Sequence, residues 1–113
     1  MQLAPTTTAS ASEPQTERRR VPRIPFTATS VVAERGSSRI VIAQTSDLSR
    51  FGCFVQAPEP YPQGTRVHVE IAHGGATLTA LGKVAYVTDE GMGIVFSIVE
   101  PDNQALLEKW LAQ

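Results

Sequence analysis

At 113 residues the chain has the length of one domain, enough to sustain a core without staples, and its single cysteine, Cys53, excludes an intramolecular disulfide. Net charge is −1 and the sequence pI is about 6.1, so the protein as a whole lacks the basic stripe that polymeric nucleic acid or anionic lipid attracts. No window approaches the ~18 consecutive apolar residues that span a bilayer, and no basic n-region precedes an apolar core, so a cytoplasmic location without membrane insertion is expected.

Residues 1–17 open with Thr, Ser, Ala and Pro and scarcely a bulky apolar side chain. They cannot bury enough surface to offset ordering entropy and read as a disordered lead-in, with the folded domain over 18–113. The positive charge is concentrated just beyond. Arg18, Arg19, Arg20 and Arg23 are four of the ten Lys and Arg residues. A guanidinium offers a planar fork of donors to a phosphate or to the O6/N7 edge of guanine and also stacks on bases, whereas Lys is a mobile point charge. Pro22 and Pro25 forbid a regular helix here and favour a stiffened, extended arm from which the arginines fan out. The plainer reading of such a run is a solvated polybasic tail.

Phe26–Ala33 and Arg39–Ser46 are rich in β-branched residues and flank a turn-like Glu34-Arg35-Gly36-Ser37, which predicts a hairpin. Asp47–Gly52 interrupts, and Cys53–Ala57 resumes a short strand that Pro58, Pro60 and Pro62 break. Thr65–Ile71 alternates cleanly, with Val67, Val69 and Ile71 on one face. His73-Gly74-Gly75 turns the chain into Thr77–Val87, where Gly82 suggests a bulge or barrel bend, and Asp89-Glu90-Gly91 turns it again into Gly93–Val99. The period then changes. Pro101 suits a first helical turn, and Leu106, Leu107, Trp110 and Leu111 recur at helical spacing. The expected fold is all-β: six short strands with turns between them predict an antiparallel barrel or sandwich, with a flexible N-terminal arm and a short C-terminal helix that could cap one opening.

The interruption Asp47-Leu48-Ser49-Arg50-Phe51-Gly52 carries chemistry. A carboxylate can accept both N1–H and N2–H of a guanine, Ser49 adds a hydroxyl, and Gly52 permits a positive φ or a close approach that a β-carbon would block. Read plainly, it is a Ser or Asx turn ending in glycine. Catalysis finds no support: Cys53 lies on a predicted strand, His68 on a polar strand face and His73 in a turn, and neither a nucleophile–base pair nor a metal-ligand spacing emerges. Both histidines read as ordinary surface residues.

Taken together, Arg19-Arg20-Val21-Pro22-Arg23 and, 23 residues later, Asp47–Gly52 resemble the RxxxR and [D/N]xSxxG motifs of the PilZ domain family. The resemblance extends through Gly91–Phe96 (GMGIVF) to the C-terminal helix. It implies a small six-stranded antiparallel β-barrel, split or Greek-key-like, that acts as a non-enzymatic receptor for the bacterial second messenger cyclic di-GMP, with no other cofactor and no metal. In that family the arm's arginines grip phosphates and guanines across the barrel mouth. The resemblance therefore assigns ligand contacts to Arg18, Arg19 and Arg23 on the arm and to Asp47, Ser49 and Gly52 on the barrel. Arg20 is a weaker candidate, because neighbours on an extended segment point to opposite sides. Tyr86 falls where some relatives carry an aromatic beside the ligand, although its parity with Leu78 and Val84 argues equally for the core. The output would be a changed surface read by a downstream protein. Two alternatives stay open: a PilZ-shaped interaction module without ligand, and a small nucleic-acid-binding barrel. The expected lack of exposed, interleaved aromatics argues against the second.

Overall fold

The computed structural model describes residues 23–113. The expected lead-in over 1–17 and the candidate residues Arg18, Arg19 and Arg20 lie outside the described residues. Six strands follow: β1 (Ile24–Glu34), β2 (Ile40–Ser49), β3 (Gly52–Gln56), β4 (Arg66–His73), β5 (Ala76–Val87) and β6 (Gly91–Ile98), and then helix α1 (Pro101–Leu111). Every neighbouring pair is antiparallel, as expected of a six-stranded barrel, and the ring closes in the order β1-β2-β3-β6-β5-β4.

Alternation decides which side chains fill the interior. β1 buries Phe26, Ala28, Ser30 and Val32, β4 buries Val67, Val69 and Ile71, and β5 buries Leu78, Ala80 and Val84. Of the three buried polar side chains Ser30, Thr45 and Ser49, the first two satisfy each other: their hydroxyls share a hydrogen bond, which offsets the cost of taking both from water. The expected bend at Gly82 is present as a register shift between Leu81 and Gly82. A β-carbon on Gly82 would lie 2.5 Å from the carbonyl oxygen of Val95, so only glycine lets β5 and β6 approach this closely.

The connection from β3 to β4 does more than end a strand. Its prolines break the β pattern, but Tyr61 between them is fully buried and its hydroxyl donates to the carbonyl of Val32 at 3.1 Å. The Arg39 guanidinium sits 5.0 Å from the centre of the same ring. Thus Tyr61 is a core residue supplied by a loop.

Helix α1 begins at Pro101, where a missing N–H costs nothing, and carries Asp102 in its first turn and Lys109 in its last, each matching the helix dipole. Leu107 and Trp110 are its buried residues. Trp110 stacks on Phe26 with centroids 5.2 Å apart, and His73 packs against both, at 4.5 Å from Phe26 and 5.4 Å from Trp110. His73 is therefore half-buried in an aromatic cluster and not the ordinary surface residue expected. The helix sits where β1 begins and β4 turns into β5, and the Thr79 amide donates to Asn103 Oδ1 at 2.9 Å.

Candidate functional site

Two irregularities in the ladder position the candidate residues. In strict alternation Asp47 would share the inward face of buried Thr45, and Tyr86 that of buried Val84. Each is turned outward by one extra residue. On β2, Thr45 pairs Val55 but Asp47 pairs Phe54, leaving Ser46 as the surplus; on β5, Val84 pairs Ile94 but Tyr86 pairs Gly93, leaving Ala85 as the surplus. Such bulges re-aim side chains. The result is a row across the outer wall in which Pro25 lies opposite Asp47, Asp47 opposite Phe54, Phe54 opposite Gly93 and Gly93 opposite Tyr86. The parity argument that placed Tyr86 equally in the core fails at Ala85.

Gly93 gives the Tyr86 ring its seat. A β-carbon there would lie 2.1 Å from Tyr86 Cε1, so the ring occupies the space a side chain would take. From the other side Phe54 leans toward it, with ring centroids 6.2 Å apart at 27°. The Arg23 guanidinium reaches the same ring and donates from Nη2 to the Tyr86 hydroxyl at 3.5 Å. This hydrogen bond is the main influence raising the Arg23 pKa; burial opposes it and the Asp47 carboxylate adds to it.

Around this row lie two depressions that share Tyr86. A recess of about 240 Å³ is lined by Arg23, Ser49, Phe51, Gly52, Ala85, Tyr86, Gly93, Ile94 and Val95. On the other side of Tyr86 an open groove of about 510 Å³ is lined by Ser46, Asp47, Phe54, Gln56, Tyr86, Thr88, Asp89 and Glu90. Arg23, Ser49, Gly52 and Tyr86 are thus brought to one recess, whereas Asp47 lines the neighbouring groove. Asp47 has an unusual feature: its Oδ1 is buried yet has no hydrogen-bond partner among the described residues. An acceptor in that position carries a desolvation cost of roughly 1–3 kcal/mol until a donor arrives.

The expected turn is shorter than its motif. β2 runs on through Ser49, so Asp47 and Ser49 are strand residues and only Arg50 and Phe51 make the turn. Ser49 Oγ accepts from the Phe51 amide at 3.2 Å and donates to the Gly52 carbonyl at 3.3 Å, which holds the corner in the manner of a Ser turn. The Phe51 carbonyl accepts from the Phe96 amide at 2.7 Å and ties the corner to β6. Gly52 does not use a positive φ. Its need for hydrogen is steric: a β-carbon would lie 2.0 Å from the carbonyl oxygen of Ile94. Arg50 points away to α1, pairing Glu108 at 3.2 Å.

Below the row, Cys53 is fully buried and its pKa is pushed up to about 12, mainly by burial and further by the Asp47 carboxylate, with Arg23 opposing. A thiol held protonated is a poor nucleophile. Among the described residues no group of three or more His, Cys, Asp and Glu side chains is placed to hold a metal ion, and no helix is long and apolar enough to cross a membrane.

Sequence reasoning missed Phe51, Phe54 and Gly93. Phe51 is exposed in the turn, and Phe54 and Tyr86 are half-buried on their strands, so aromatics stand near Arg23 at this corner, while among the described residues no strand aromatic is fully exposed. Phe51 sat inside a motif that drew attention to Ser49 and Gly52, and Gly93 carried no signal without knowledge of which residue lies opposite.

The PilZ domain model matches residues 17–113, and the chain belongs to the PilZ domain family. Among solved structures it is similar to the PilZ domain of CeSA from a cellulose-synthesizing bacterium, at 22% identity and TM-score 0.66, covering 80% of this chain and 95% of that one. It is similar also to the Bacillus subtilis inhibitor of motility MotI/DgrA, at 12% identity and TM-score 0.70, covering 84% of this chain and half, 50%, of that one. At these identities the structural likeness speaks to the fold. No curated protein sequence matches the chain.

Proposed function

We propose that the protein is a non-catalytic receptor for cyclic di-GMP whose ligand lies across the outer wall between the recess and the Asp47 groove. The observation that carries this reading is the buried Oδ1 of Asp47, which has no partner among the described residues and lies within electrostatic reach of the Arg23 guanidinium. A guanine supplies two parallel N–H donors to such a carboxylate, and the dinucleotide's phosphates suit arginine. The recess is smaller than the ~300–1,000 Å³ of sites that enclose a ligand, so a dinucleotide would lie over it and not within it. Spanning from the recess to Asp47 requires the Arg23–Tyr86 contact to open, freeing the guanidinium for phosphate and the ring for stacking. Ser49 and Gly52 act by shaping the corner. Arg18 and Arg19, with Arg20 as a lesser contributor, close over the ligand from the arm, and a downstream protein reads the surface so formed.

Phe51, Phe54 and Tyr86 beside Arg23 also support a second reading, a single-stranded nucleic-acid surface. The groove next to them carries Asp47, Asp89 and Glu90, which a polyanion would meet as repulsion and a dinucleotide with two phosphates would largely avoid. Calorimetric titration with cyclic di-GMP, linear pGpG, GTP and a single-stranded RNA decides between them. Selective binding of the cyclic dinucleotide is expected; RNA binding of equal strength with a steep salt dependence would favour the second reading, and heat from none of the four would leave the interaction module.

A further inference from the structure

We infer that Lys83, Arg66 and Arg35 form a docking lane for an acidic, extended segment of a partner protein. The lane starts at the recess. Gly52 lies opposite Val95, Val95 opposite Lys83, and Lys83 opposite Arg66, while the Arg35 amide donates to the Arg66 carbonyl at 2.9 Å. Parity puts Val95, Lys83 and Arg66 on the outer wall, since Ile94, Val84 and Val67 beside them point inward. All three cations are exposed.

Lys83 and Arg66 are a directly opposed pair of like charge, an arrangement that destabilises a sheet. Among the described residues no ion pair neutralises it. The ion pairs among the described residues are Arg39–Glu34 and Arg50–Glu108, and neither includes a lane residue. Glu70, on the same face of β4 as Arg66, is four residues along, roughly 13 Å away at strand rise. A repulsive pair kept beside an open recess, on a chain whose net charge is −1, marks a place where an external anion completes the charge balance.

The lane is short, which identifies the class of anion. Lys83 and Arg66 on adjacent strands, with Arg35 just past the end of β1 and bonded to the Arg66 carbonyl, put about 10 Å between the outer cations at ~4.8 Å spacing, and alternate side chains of an extended peptide, about 7 Å apart, place two carboxylates on it. Beyond the recess, past the Lys83 end of the lane, lies the Asp47, Asp89 and Glu90 groove. A polynucleotide or an anionic membrane extending past the lane would run into these carboxylates, whereas a peptide of a few acidic residues ends before them.

The test is fluorescence anisotropy of a labelled peptide of alternating Glu and Gly, and of its Gln counterpart, against the full chain and its Arg66→Gln/Lys83→Gln variant. A single-stranded RNA and phosphatidylglycerol vesicles serve as competitors. The Glu peptide should bind and the Gln peptide should not, with binding about tenfold weaker in the variant, as expected for two exposed charge contacts. The variant's Tm should hold or rise, because the opposed like charges are gone. Equal peptide binding by variant and parent, a fall in Tm, or stronger engagement of the same two residues by RNA or vesicles would overturn the lane. The measurement is made without nucleotide and repeated with Arg23→Ala, which should keep the peptide. Peptide binding therefore stands or falls separately from cyclic di-GMP binding.

Discussion

The rings of Phe54 and Tyr86 come from strands on either side of β6 and meet at 6.2 Å across Gly93. Strands two apart lie about 9.6 Å from one another, so the rings lean over the glycine to reach this separation. Gly93→Val would place methyl groups where the Tyr86 ring now rests. Because a ring can swing away, the barrel should persist by far-UV circular dichroism, while Tyr86 ring resonances shift and cyclic di-GMP affinity falls about tenfold for the lost stacking face. Unchanged affinity with a displaced ring would remove Tyr86 from the binding surface.

Gly52→Ala should behave differently. Its β-carbon would meet the Ile94 carbonyl oxygen at 2.0 Å, and a backbone oxygen held in a ladder cannot turn aside. Strands β3 and β6 must separate, at a cost of about 1–3 kcal/mol or more. Chemical denaturation should show Gly52→Ala less stable than Gly93→Ala; the reverse order would mean that the β3–β6 ladder gives more readily than the Tyr86 ring.

Asp47→Ala separates binding from folding. It removes a buried acceptor that has no partner among the described residues, so stability should stay level or rise, whereas cyclic di-GMP binding should drop. Arg23→Ala should leave Tm nearly unchanged, since Arg23 is exposed, and weaken cyclic di-GMP about 10- to 100-fold through loss of a charge-assisted contact. Calorimetry and thermal melts on both variants test this, and a large loss of Tm in either would assign a structural role instead.

Cys53 makes stability depend on pH on the alkaline side. Its pKa is raised from the ordinary 9.0 to about 12, so between those values the unfolded chain has released the proton that the folded chain retains. Stability is therefore full below pH 9.0 and falls as pH rises toward 12, at up to ~1.4 kcal/mol per pH unit. Urea titrations of the parent and of Cys53→Ala across this range should show the slope in the parent and its reduction in the variant. Parallel curves would place the alkaline loss elsewhere.

Hydrophobic period carried most of the fold. Val67, Val69 and Ile71 announced β4, and Leu107 and Trp110 announced the inward side of α1, because burial on one face leaves that imprint on a sequence. The same rule misled at Tyr86, since a bulge shifts parity without a local mark: neither Ser46 nor Ala85 has a composition that betrays an extra residue. Tyr61 was hidden for another reason. Prolines report that a ladder ends, and say nothing of a side chain between them that turns back into the interior. His73 likewise looked solvated beside two glycines, and only the arrival of Trp110 from the far end of the chain covers it. Of the candidate site, the motifs located Arg23, Ser49 and Gly52 around one recess; the division of that surface by Tyr86, with Asp47 on the far side, depends on three-dimensional register.

Since each of the six strands is laddered to two neighbours, sliding any one of them would break bonds along both of its edges at once. On the receptor reading proposed above, the wall therefore acts as a rigid stamp, and a bound state is reported by what changes on its outside, such as a side chain released from its rest or a charge covered.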